Sequence, residues 1–121
     1  MGDPRVENLA RILVKYSLGV KRGHVVDVRG SLASEPLISA IHEELLRRSA
    51  FPSVRMTPDS LSSDFFNCAR PQQLDEGNPV DRAVARAVDS TIRIYSQMNT
   101  RQLSSVDPKK QARYTRAMQS V

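Results

Sequence analysis

At 121 residues and 13.5 kDa the chain has room for one domain. Hydrophobic residues make up 40% and charged residues 26%, which excludes a disordered tail, and apolar runs of only a few residues exclude a membrane-spanning segment. The net charge of +5 points toward an anionic partner, but its distribution is uneven: residues 1–100 carry thirteen Lys or Arg against twelve Asp or Glu, whereas residues 101–121 carry five against Asp107 alone.

The absence of Trp, with three Tyr and three Phe, implies an aliphatic core and leaves too few rings for a base-stacking platform. Cys68 is the only cysteine, so no intrachain disulfide can form and a reducing compartment is the natural setting. Met1-Gly2-Asp3-Pro4 opens no signal peptide. Val6 stands where a myristoylation motif requires Ser or Thr. These features predict a cytoplasmic protein with no membrane partner.

In chain order, a polar residue followed by proline recurs three times, at Asp3-Pro4, Asn78-Pro79 and Asp107-Pro108. Each pair offers a side-chain acceptor to the first free helix N–H groups and a proline whose missing N–H costs nothing there, so three helix starts follow. After Asp3-Pro4, the residues Val6, Leu9, Ala10, Leu13 and Tyr16 form an apolar stripe, and Gly19 closes the helix. His24 to Gly30 is valine-rich and glycine-bounded, which predicts a buried strand. Leu37, Ile38, Ile41 and Leu45 then resume helical period, with Glu43 and Glu44 four residues before Arg47 and Arg48. Phe51 to Thr57 reads as a second strand, ended by Pro58.

Leu61, Phe65, Phe66 and Cys68 suggest a short amphipathic helix stopped at Arg70-Pro71, with a single turn from Pro71 to Glu76 closed by Gly77. Asn78-Pro79 starts a helix striped by Val80, Ala83, Val84, Ala87 and Val88. Thr91 to Ser96 is a β-branched third strand, Gln97 to Val106 a loop, and Pro108 to about Gln119 a last helix. That helix has little apolar surface of its own: Ala112, Ala117, Met118 and the ring of Tyr114. The order α-β-α-β-α-α-β-α predicts an α/β, Rossmann-like three-layer fragment, with a short, mainly parallel sheet of about three strands flanked by helices. The division expected is an α/β unit over residues 1–106 and a basic helix over residues 107–121 leading toward a further domain.

Familiar catalytic patterns fail on inspection. His42-Glu43 lacks the second histidine of a zinc-protease helix, since Leu46 occupies that position. Cys68 follows Phe65-Phe66-Asn67 and is expected to be a buried structural thiol. No serine sits in a Gly-x-Ser-x-Gly elbow, and Gly30-Ser31 is too short for a glycine-rich phosphate loop. Ligand contacts in parallel sheets gather beyond the carboxyl ends of the strands. The candidates there are Arg29 and Ser31 after the first strand and Asn99, Thr100 and Arg101 after the third. Their side chains suit either substrate contact or contact between domains.

The ordered features resemble the N-terminal region of the thermophilic-type metalloaminopeptidases, the leucyl aminopeptidase group. The likeness lies in Asp3 to Ala10, Leu13 to Ser17, Val20 to Val26, Ala33-Ser34-Glu35-Pro36-Leu37, Leu46-Arg47-Arg48, Gln73-Leu74-Asp75, Asn99-Thr100-Arg101 and Val106-Asp107-Pro108-Lys109. It departs from that pattern at His24, Arg70-Pro71 and Ser96-Gln97-Met98, which bear on caps and loop charge. The resemblance implies a hydrolase with two divalent metal ions, zinc, cobalt, manganese or magnesium, polarising the scissile carbonyl. It implies that the Glu, His and Asp ligands belong to a C-terminal catalytic domain, with no catalytic residue or metal site on this chain. It further implies a peptide substrate, a homodimer, and for this region a place in the wall of the active-site chamber. The competing expectation is a stand-alone module whose basic residues Lys109, Lys110, Arg113 and Arg116 bind nucleic acid, or a crevice near Ser31 and Asn99 that binds a small ligand.

Overall fold

The three polar-proline pairs start three helices. In the computed structural model, which describes residues 3–17, 19–94 and 106–119, Asp3 Oδ1 accepts from Arg5 N at 2.9 Å and starts α1 (Pro4–Ile12). Asn78 Oδ1 accepts from Val80 N and Asp81 N and starts α5 (Pro79–Ala87). Asp107 Oδ1 accepts from Lys109 N and starts α6 (Pro108–Gln119). The remaining elements are β1 (Val25–Ser31), α2 (Glu35–Arg47), β2 (Phe51–Thr57), α3 (Ser60–Cys68), α4 (Pro71–Glu76) and β3 (Ser90–Ile94). Three helices, not two, therefore join β2 to β3, because Pro71 restarts the chain as a helix of six residues. The part of the expected third strand beyond Ile94, and the loop expected over 97–106 as far as residue 105, lie outside the described residues.

The sheet has the order β2-β1-β3, all parallel, with β1 in the centre. Val28 pairs with Val54 on one side and Ile92 on the other. Because side chains alternate across a strand, Val26, Val28 and Ile92 point to one face, where Ile38, Ile41 and Leu45 of α2 and Ala10 and Val14 from the first helical segment pack against them. This aliphatic cluster is the core. Its tightest point is Gly30, where an added Cβ would meet Ile38 Cδ1 at 2.7 Å and the Ile94 carbonyl oxygen at 3.1 Å.

The first helix buries a different stripe from the one expected. Its last turn widens to i→i+5 bonding over Leu13–Ser17, which turns Val14 fully inward and leaves Tyr16 71% exposed. Gly19 follows at φ +57°, as its place after the helix predicts. On α2, Arg47 reaches Glu43 at 2.7 Å and Arg48 reaches Glu44 at 3.4 Å, the pairs that the i,i+4 spacing predicts. Cys68 corrects its expectation: it is exposed at the end of α3, because Phe65 and Phe66 turn toward α6.

The last helix, thin in apolar residues, is nevertheless docked. Tyr114 packs edge-on against Phe65 and Phe66, with ring centroids 4.8 and 6.0 Å apart. Arg113 makes a two-pronged ion pair with Asp75 of α4, with Nη2 to Oδ2 at 2.6 Å. Lys110 Nζ donates to the Phe66 carbonyl at 3.2 Å, and Arg82 Nη2 to the Ala117 carbonyl at 2.6 Å. Polar reach thus does what the sparse apolar face cannot.

Candidate functional site: an arginine-lined cleft

The sheet's second face is built from the other half of the alternation, and it is polar. Asp27, Arg29 and Ser31 of β1 stand in register with Ser53, Arg55 and Thr57 of β2. Asp27 and Arg29 stand in register with Thr91 and Arg93 of β3. In a parallel sheet such partners share a face, so Arg29, Arg55 and Arg93 form one row across all three strands.

Beneath that row lies Asp27, which is fully buried. Its Oδ2 accepts from Arg29 Nε at 2.6 Å and from Arg55 Nη2 at 3.4 Å. Above it, Asp81 of α5 accepts from Arg55 Nη1 at 2.6 Å and lies 3.7 Å from Arg29 Nη1. Two carboxylates therefore hold two guanidiniums from opposite sides. Burial draws the Arg55 pKa down, but the hydrogen bond and charge of Asp81, with those of Asp27, outweigh it, and the net shift is upward. Two buried atoms remain unpartnered in this layer, Asp27 Oδ1 and Arg55 Nε.

At the carboxyl ends of the strands this layer opens into a cleft of about 310 Å³. Arg29, Ser31, Arg55, Arg93, Thr57 and Ser62 line it, together with Asp81 and Asp59. Connections leave β1 toward β2 on one side while β3 lies on the other, which is where open parallel sheets place their ligands. Tyr114 of α6 feels the charges of Asp81, Arg29 and Arg93; burial first, then Asp81, pushes its phenol above the ordinary value.

Of the five residues expected at the strand ends, the structure brings two together here, Arg29 and Ser31. Ser31 has a second duty, since its Oγ accepts from Ala33 N at 3.0 Å and caps the turn Leu32–Ser34. Asn99, Thr100 and Arg101 lie outside the described residues. Sequence reasoning missed Arg55, Arg93, Asp27 and Asp81. The signal that could have found them is the polar half of each strand's alternation, Asp-x-Arg in β1 and a single Arg in each of β2 and β3, aligned by register.

Neither imidazole belongs to this cleft. His42 is exposed on α2, and His24 Nδ1 accepts from Lys21 N at 3.2 Å. Among the described residues no three His, Cys, Asp or Glu side chains group so as to hold a metal ion. The donor set here does not fit a metal centre. No helix among the described residues is long and apolar enough to cross a membrane. The cations at the C-terminal end are partly engaged, Lys110 on Phe66 and Arg113 on Asp75.

An open three-stranded parallel sheet, flanked by helices and opening into a charged cleft at its carboxyl end, defines an α/β domain. Residues 2–121 match the thermophilic metalloprotease family M29, and the chain belongs to that family. Among solved structures it is similar to wild-type AmpT from Thermus thermophilus, with a TM-score of 0.66 and 18% identity. The likeness covers 93% of this chain and 29% of that one, so the chain spans less than a third of that structure's length. At this identity the likeness concerns the fold. No curated protein matches the chain.

Proposed function

We propose that the chain is the N-terminal, non-catalytic domain of a metal-dependent aminopeptidase that removes N-terminal residues from peptides in the cytoplasm. The observation that carries this reading is membership of the M29 family over residues 2–121, in a chain that spans only 29% of AmpT. The two divalent ions, zinc, cobalt, manganese or magnesium, would be supplied with their ligands by a C-terminal catalytic domain, and they would polarise the scissile carbonyl there. The contribution of this domain is structural. The cleft of Arg29, Ser31, Arg55 and Arg93 would face the catalytic domain or its peptide substrate, α6 would lead toward that domain, and the intact enzyme would pair as a homodimer.

Assay of the pure 121-residue chain on leucyl p-nitroanilide with added Co²⁺ or Mn²⁺ tests the reading. The expected result is no hydrolysis above the metal-only blank. Metal-dependent turnover by the chain alone would overturn it.

A further inference from the structure

The three guanidiniums of the cleft are not equivalent. Arg29 and Arg55 are held by Asp27 and Asp81. Arg93 stands in the same row and lines the same cleft, yet it has no hydrogen-bond or ion-pair partner among the described residues. A solvated arginine on an outer helix face would need no explanation. Arg93 is exposed as well, but it stands on a strand and lines a concave site that also presents the hydroxyls of Thr57 and Ser62.

We propose that the cleft binds one small oxyanion, with Arg93 as its principal contact. The guanidinium fork matches the two oxygens of a carboxylate or phosphate. The remaining N–H groups of Arg29 and the two hydroxyls supply further donors. Asp27 and Asp81 act as positioning groups: they fix Arg29 and Arg55 from below and above, so binding requires little reordering of those two side chains. Asp59 also lines the cleft and moderates its positive charge, which favours a singly charged group over a doubly charged one. This site does not depend on the peptidase reading, since its contacts all lie within this chain.

The test is arginine Nε–Hε NMR on the whole 121-residue chain. Sodium N-acetylglycinate and, separately, sodium phosphate are added at ionic strength held constant with sodium chloride. The proposal expects a saturable shift of the Arg93 resonance, with Arg29 moving in parallel. It also expects Arg93→Gln to raise the apparent Kd by about ten- to a hundred-fold, as loss of a charge-assisted contact does. Arg93→Lys should recover only part of that loss, and Arg86→Gln, on the exposed last turn of α5, should change nothing. Saturation with N-acetylglycinate alone assigns a carboxylate ligand, and saturation with phosphate alone assigns a phosphate. Shifts that never saturate, that chloride reproduces, or that survive unchanged in Arg93→Gln would overturn the site. The wild-type titration decides the matter even where a variant fails to fold.

Discussion

Asp27 is the residue on which the polar layer depends. It is fully buried, with Arg29 and Arg55 both directed at one oxygen and the other oxygen left without a partner. Such a group is costly to bury unless cations face it. Removing it leaves the two guanidiniums in register with Asp81 alone to hold them. Asp27→Ala should therefore destabilise the fold by about 3 kcal/mol, the low end for breaking a buried pair because both arginines keep some contact with water. Urea denaturation followed by circular dichroism measures it, and an unchanged midpoint would mean that Asp81 alone orders the row. Little of this was legible in the chain. Arg29 was found from its place at a strand end, but Arg55 and Arg93 are single arginines 26 and 64 positions later in the sequence. Only the pairing of β1 with both neighbours makes them one group, and register is a long-range property that no local pattern encodes.

At the scale of elements, local chemistry was the better guide. The three polar-proline caps start helices where the side-chain acceptors predict, and β2 runs from Phe51 to Thr57 because Pro58 cannot continue a ladder. The prediction fails where tertiary contact decides. The wide last turn after α1 exchanges Tyr16 for Val14, and Cys68 is exposed because the two phenylalanines before it face α6. The docking of α6 was equally hidden, since it rests on Tyr114, Arg113 and Lys110 finding partners 38 to 49 positions earlier in the sequence. Tyr114→Ala should loosen that helix, costing about 2 kcal/mol for a half-buried ring. Hydrogen exchange should then quicken over residues 108–119 well before the amides of β1. Tyr114 also sets an alkaline limit. Its raised pKa means that the neutral phenol is favoured in the folded state, so its contribution is complete below the ordinary value of 10.0 and is lost as pH rises through the higher folded value. Absorbance at 295 nm should show a tyrosine ionising above the ordinary value, and Tyr114→Phe should remove that late step.

For the whole molecule, the aliphatic core and the polar layer lie on opposite faces of one small sheet. The α/β class and its parallel, helix-flanked sheet were legible because strands separated by helices leave few other topologies. The family resemblance was legible in many short, spaced matches, and the M29 assignment over residues 2–121 agrees with it. The proposed function adds a division of labour, with metal chemistry in a catalytic domain and a charged cleft in this one. Metal binding by the chain itself tests that division most directly. Titrating the pure 121-residue chain with Co²⁺ should give no saturable visible ligand-field bands and no stoichiometric uptake in equilibrium dialysis. Two Co²⁺ bound per chain, with the intense bands of a low-coordinate protein site, would contradict the account.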